Sequence, residues 1–171
     1  IHDMPDTDYS TGELHTRAIG MLNEHGLTYD LLLRPPHIEA AIRLVDMYPN
    51  QPFVVDHIAK PEIEHGMMEP WLTGLKELAR REHVFCKLSG MVTEANWERW
   101  SPGDLAPYID VVLDAFGPRR LMIGSDWPVC TCAGDYRRVM SAAISRVERL
   151  SQSEWEMVLG GTCREFYGLN L

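Results

Sequence analysis

Basic residues are scarce in this chain. Its 171 residues carry 16 Lys and Arg against 25 Asp and Glu, a formal net charge of −9. That balance argues against nucleic acid or an anionic membrane as the main partner, because both reward basic patches. Long apolar runs are missing too: no stretch approaches the length that crosses a bilayer, and no secretory start of basic then apolar residues is visible. Cysteine is sparse, with Cys86, Cys130, Cys132 and Cys163 too irregularly spaced for a disulfide framework. Cys86 lies inside an apolar strand pattern, so reduced thiols and a cytoplasmic setting are expected. Cys130 and Cys132 form a C-x-C pair, but no second pair completes a zinc site.

Several nucleotide and nucleophile motifs are also absent. No G-x-G-x-x-G or G-x-x-x-x-G-K-[ST] follows a strand-like run, which counts against a dinucleotide or P-loop site. No G-x-S-x-G elbow exists, since Leu88-Ser89-Gly90 lacks the first glycine. Chemistry by a carboxylate or imidazole that activates water is therefore favoured over a serine nucleophile. There is no linker, repeat or low-complexity segment, and at 45% apolar and 24% charged residues the composition is that of an ordinary globular domain.

What is present is an alternation of two patterns. Tyr29–Leu33, Phe53–Asp56, Val84–Leu88 and Leu121–Gly124 are short, nearly continuous apolar runs, as expected of parallel strands buried on both faces. Amphipathic stretches separate them. Ser10 and Glu13 have capping-box spacing ahead of Leu14, Ala18, Ile19 and Leu22, with Gly26 as a stop. Ile38–Val45 and Trp71–Ala79 follow, and Ser101-Pro102-Gly103-Asp104 opens another helix that Gly117-Pro118 closes. Tyr136–Leu150, Ser153–Leu159 (Ser153 and Glu156 at capping-box spacing) and Thr162–Tyr167 complete the series. Repeated β-α units imply right-handed crossovers and one domain or part of one.

In such folds the strand-to-helix loops gather on one face, where the chemistry sits. The first strand delivers Arg34-Pro35-Pro36-His37, and the second delivers Asp56-His57 and Lys60. The third delivers Lys87, Ser89-Gly90 and Thr93-Glu94, and the fourth delivers Ser125-Asp126-Trp127-Pro128. His2-Asp3 follow what would be the last residue of a further strand. Asp126 reads as catalytic because an unpaired carboxylate at a buried strand end is costly, although a helix cap or a partner for a buried Arg would serve as well. His57 reads either as a satisfied core histidine or as Asp126's functional partner. Arg34 reads as an anion clamp or a salt bridge. Lys60 and Lys87 are compatible with ion pairing, Ser89-Gly90 with turn chemistry, and Trp127 with a pocket wall or packing. His15, His25, His65 and His83 lie away from strand ends and are expected at the surface.

Three segments carry a resemblance: Val54-Val55-Asp56-His57-Ile58-Ala59-Lys60-Pro61, Val84 through Trp97 with its Lys87-Leu88-Ser89-Gly90-Met91 centre, and Ile123-Gly124-Ser125-Asp126-Trp127-Pro128-Val129-Cys130. With His2-Asp3-Met4-Pro5-Asp6 and Gly160–Leu169, they resemble in order the amidohydrolase-related TIM-barrel hydrolases, which include lactonases acting on fucono- and rhamnonolactones. The resemblance implies an α/β fold, a (β/α)8 barrel. Residues 1–171 would be the C-terminal part of one barrel domain, about strands four to eight, with the first three strands missing. It implies that Asp126 activates water or shuttles a proton, that His57 is its partner, and that Arg34 and Trp127 line the substrate pocket; His37 and Lys60 are further candidate substrate contacts. A divalent metal such as zinc is expected on His57 and Asp126 with ligands from outside this sequence, or no metal at all. The family's His-x-His pair is not found here, since no two histidines are separated by one residue. The expected reaction is hydrolysis of a sugar-acid lactone, with metal-dependent decarboxylation or an inactive scaffold as alternatives. The expected partner is a small-molecule substrate, and homo-oligomerisation is left open.

Overall fold

The computed structural model describes residues 1–170. Four strands form one parallel sheet in the order β1-β2-β3-β4, where β1 is Tyr29–Leu31, β2 Phe53–Val55, β3 Val84–Leu88 and β4 Leu121–Ile123. Their register sets Leu31, Val55, Cys86 and Leu121 in one row across the sheet. Those four side chains are fully buried, as are their pleat-mates Phe53, Val84 and Leu88.

Each crossover is helical: α1 (Glu13–Glu24) precedes β1, α2 (Ile38–Met47) joins β1 to β2, α3 (Trp71–Ala79) joins β2 to β3, and α4 (Pro102–Phe116) joins β3 to β4. After β4 come α5 (Tyr136–Val147), α6 (Gln152–Glu156) and α7 (Thr162–Phe166), the last two bridged by a π-helical turn over Met157–Gly161. Leu44, Leu75, Leu78, Leu105 and Val112 from α2, α3 and α4 join the strand residues in one apolar core. Strand alternation then turns Asp30, Val54, Phe85, Lys87 and Met122 to the opposite face of the sheet. The C-terminal segment reaches that face, with the Phe166 ring 4.9 Å from Phe85 and the Tyr167 hydroxyl donating to Asp30 at 3.0 Å.

Three details differ from the sequence-based expectation. The first, second and fourth strands end one or two residues early: Asp56 already opens a 3-10 turn, and Leu32 and Gly124 lie past the ladder, although the Gly124 N–H still donates to the Leu88 carbonyl at 3.2 Å. The capping boxes sit elsewhere. Ser10 is buried in a short 3-10 turn (Tyr9–Thr11), leaving Gly12 to cap α1, and α6 is capped by Ser151 with Glu154. His15 and His83 are half-buried, His15 between the rings of Tyr9 and Tyr29, and His83 beside the Val45 carbonyl at 3.2 Å. Their aromatic faces pack while one ring nitrogen keeps a polar neighbour, so burial costs little.

Candidate active site

The chain leaves β2 through an unusual backbone. His57, Ile58, Ala59 and Lys60 have φ of 52°, 48°, 60° and 48°, a full turn of left-handed conformation without a glycine. Each such residue costs on the order of 1 kcal/mol, so neighbours must hold the turn in place. They do so from several sides. The Trp71 indole N–H donates to the Ile58 carbonyl at 2.6 Å, and the Lys60 N–H closes the turn onto the His57 carbonyl at 2.9 Å. Ile58 and Ala59 are fully buried. Gly90, at φ 64°, lies so close that a β-carbon there would sit 2.6 Å from His57 Cβ and Cγ. Only glycine permits that approach.

The result is a fixed imidazole. His57 Nδ1 is 2.8 Å from Ser89 Oγ, and Nε2 is 3.5 Å from Asp126 Oδ1. Asp126 is itself left-handed, at φ 58°, where the chain turns out of β4, and its carbonyl accepts from the Cys130 N–H at 2.9 Å. Thus both strand ends are bent into sparsely populated backbone to face one another. Burial pushes the His57 pKa below its ordinary value; Asp126 and Asp56 pull the other way and do not prevail. The ring is therefore neutral at neutral pH. The tautomer that satisfies both neighbours takes the Ser89 hydroxyl at Nδ1 and carries its proton on Nε2, toward Asp126. Asp126 Oδ2 is buried and has no hydrogen-bond partner in the protein.

The same pair offers donors to a metal, one imidazole nitrogen and one carboxylate. A catalytic zinc needs three protein ligands. Among the described residues no cluster of three His, Cys, Asp or Glu is placed to hold an ion. The residues present do not make a metal site by themselves.

The other candidates fall into distinct places. Lys60 and Arg34 converge on Glu94, with Lys60 Nζ 2.7 Å from Oε1 and Arg34 NH1 3.2 Å from Oε2. Lys60 is nearly buried, whereas the Arg34 side chain is 44% exposed with most of its N–H donors free of side-chain carboxylates. His37 is not brought to this group: it is buried, and its Nε2 donates to the Met4 carbonyl at 3.1 Å. Trp127 stands at 66% exposure beside the pair, its N–H donating to Ser125 Oγ at 3.1 Å. Lys87 pairs with Asp30 and, at 2.7 Å, with Asp56, on the sheet face opposite the helices. Ser89, Gly90 and Glu94 are structurally central, whereas the sequence reads Ser89-Gly90 as turn chemistry and gives Glu94 no role of its own. Each was visible as a polar or small residue after the third strand, but nothing in the sequence pairs Ser89 with His57 or Glu94 with two cations.

The chain is similar to known proteins. The family model described as Amidohydrolase matches residues 1–169. The L-fucono-1,5-lactonase of Burkholderia ambifaria is 36% identical over 177 residues, covering 99% of this chain and 60% of its own length. The L-fucono-1,5-lactonase of Burkholderia multivorans is 37% identical, covering 90% of this chain and 55% of its own length. A crystal structure of an amidohydrolase from Burkholderia multivorans with bound zinc superposes with a TM-score of 0.92 at 34% identity, over 99% of this chain and 62% of that one. The chain thus spans 55–60% of the length of these curated relatives. Its parallel sheet and helices are the corresponding part of a TIM-barrel fold. With a match running from residue 1 to residue 169, the chain belongs to the amidohydrolase family.

Proposed function

We propose that this protein hydrolyses a cyclic ester, a sugar-acid lactone, at the carboxyl ends of β2, β3 and β4. The single observation that carries the reading is Asp126 Oδ2, a buried carboxylate oxygen without a protein partner, in a side chain whose other oxygen faces a neutral imidazole. A carboxylate with an acceptor position that no protein donor claims is suited to take a proton from a water that enters the site with the substrate. Kinship with proteins named L-fucono-1,5-lactonase supports the substrate class.

In this mechanism Asp126 removes a proton from water as the water oxygen bonds to the lactone carbonyl carbon. The ring C–O bond of the tetrahedral intermediate then breaks, and the proton held by Asp126 passes to the departing alkoxide, giving the open hydroxy acid. His57, proton on Nε2, donates a hydrogen bond to oxygen that gains charge on the way. Ser89 fixes that tautomer through Nδ1, and Arg34 supplies hydrogen bonds to substrate hydroxyls. No step here passes through a metal. If a divalent ion takes part, as the zinc-bound neighbour makes relevant, ligands beyond His57 and Asp126 complete its site; metal analysis and activity after chelation and dialysis measure that contribution.

The test is Asp126→Asn in the protein as encoded. Asparagine has the same shape and cannot accept the proton, so kcat on a neutral sugar lactone is expected to fall about 10²–10⁴-fold with the circular dichroism spectrum preserved. Turnover within a few-fold of the parent contradicts the mechanism.

A further inference from the structure

A groove of about 300 Å³ lies among the segments that follow β1, β2 and β3. Its walls include Arg34, Glu62, Glu64, Thr93, Glu94 and Trp97. It joins the catalytic turn through Lys60, which ends the left-handed turn begun by His57 and is bonded to Glu94. Nothing in the hydrolytic chemistry described above uses Glu62, Glu64, Glu94 or Trp97.

Three properties of this groove constrain what fits it. Its charge is negative, because its three carboxylates outnumber the two cations at its edge, Arg34 and Lys60. The two cations an anionic substrate would seek, Arg34 and Lys60, are both already held by Glu94. Hydrogen-bonding capacity nevertheless remains on every side. Arg34 has donors beyond the one bonded to Glu94, and the carboxylates have free acceptor positions even where Asn96 Nδ2 donates to Glu64 at 3.0 Å. Finally, Trp97 presents its ring at 55% exposure yet does not swing freely, since its indole N–H is tied to the Thr93 carbonyl at 2.9 Å. An exposed indole is held still beside carboxylates, a flat apolar surface edged with acceptors. A hydroxyl-rich ring matches it, with C–H bonds toward the indole and O–H bonds toward the carboxylates.

We propose that this groove is the selectivity subsite, that it receives the polyol part of an uncharged lactone, and that Glu94 excludes lactones bearing a carboxylate or sulfonate. The inference rests on the lactone reading above and adds the residues that set the charge class of its substrate. Exclusion has two parts. Glu62, Glu64 and Glu94 repel an incoming anion, and Glu94 occupies the cations that would otherwise receive it. Trp97 acts on binding, by contact with the sugar ring, rather than on the chemical step.

A matched pair of substrates tests this: an aldonolactone and the aldarolactone of the same carbon skeleton, which differs by one free carboxylate. In the protein as encoded, kcat/KM is expected to favour the neutral lactone by at least about 100-fold. Glu94→Gln should narrow that ratio at least about tenfold, chiefly by improving the charged substrate. The double variant Glu62→Gln/Glu64→Gln, at exposed positions, should narrow it by a smaller factor, and it decides the matter if Glu94→Gln does not fold. Trp97→Ala should raise KM for the neutral lactone about tenfold, with the loss in KM rather than kcat. A preference for the charged lactone, or a ratio within twofold of the parent in the folded variants, overturns the proposal. If the parent hydrolyses neither lactone, the reaction assignment fails separately. Calorimetric binding of the corresponding non-hydrolysable lactams then judges the groove: tighter binding of the neutral lactam upholds it, and equal or tighter binding of the charged one overturns it.

Discussion

Two ion clusters in this molecule are built from the same ingredients and arranged to opposite ends. At the strand ends, Glu94 bridges Lys60 and Arg34 from three different loops, and the Arg34 side chain remains 44% exposed. Within the sheet, Lys87 projects from the body of β3 between Asp30 on β1 and Asp56 after β2, and the Tyr167 hydroxyl closes the group by donating to Asp30 at 3.0 Å. Burial pushes the Tyr167 phenol up to about 12. The inner cluster ties a central strand, a flanking strand and the C-terminal segment into one body. The outer cluster leaves a partly solvated guanidinium with donors to spare, so a ligand can bind there without unfolding anything. On the proposed function, the two clusters take different roles: the pairs made by Lys87 hold the fold together, and those made by Glu94 shape recognition.

Substitutions sharpen this contrast in a definite order. After Asp126→Asn, the largest effect belongs to Gly90→Ala, at the closest approach in the site. A β-carbon there would lie 2.6 Å from His57, so the imidazole must move. A displacement of about 1 Å in a catalytic group costs roughly 10²-fold, and kcat is expected to fall by that factor; a value within threefold of the parent would mean the tight packing of His57 has no bearing on activity. Next is Lys87→Met, which takes the cation from Asp56 and leaves Asp30 with the Tyr167 hydroxyl alone. Loss of about 2–3 kcal/mol in urea unfolding is expected. Lys60→Met should cost less, about 1–2 kcal/mol, because Glu94 keeps Arg34. The contrast between the clusters breaks if that order is reversed. Ser89→Ala removes the hydroxyl that orders the His57 tautomer and should lower kcat about tenfold with little change in the unfolding midpoint.

The smallest effect is in pH. Burial lowers the folded-state pKa of His57 below the ordinary 6.5. Between that lowered value and 6.5 the unfolded chain binds more protons than the folded one, so stability climbs as pH rises through this window. His57's contribution is complete above 6.5 and is lost as pH falls below it. Urea midpoints compared from about pH 5 to pH 7 should show a slope that His57→Gln flattens; equal slopes in both proteins would contradict a buried neutral imidazole.

Much of this was legible in the sequence. The apolar run Val84–Leu88 is β3 to the residue, and Ser101-Pro102 opens α4 as its spacing predicts. The strand-end positions of Asp126, His57, Arg34 and Lys60 follow directly from the β-α order. The left-handed turn at His57–Lys60 was not legible, because it contains no glycine and is held by Trp71 and Gly90 from other elements. The capping of α1 was misread for a related reason: Ser10 is drawn into the core by tertiary packing, which overrides its local spacing with Glu13. Partner choice was hidden as well. Glu94 reads as one more polar residue after the third strand until the fold brings Lys60 and Arg34 to it.

The central claim is that water, deprotonated by Asp126, attacks a lactone carbonyl. Turnover of a neutral sugar lactone in 18O-labelled water, with the product examined by mass spectrometry and the Asp126→Asn variant as background, tests it most directly. The account predicts one 18O per enzymatic turnover, in the product's carboxylate. Label on the released hydroxyl would instead mean cleavage on the alkyl side of the ester, and that result, or product formed by the variant at the parent's rate, would contradict the account.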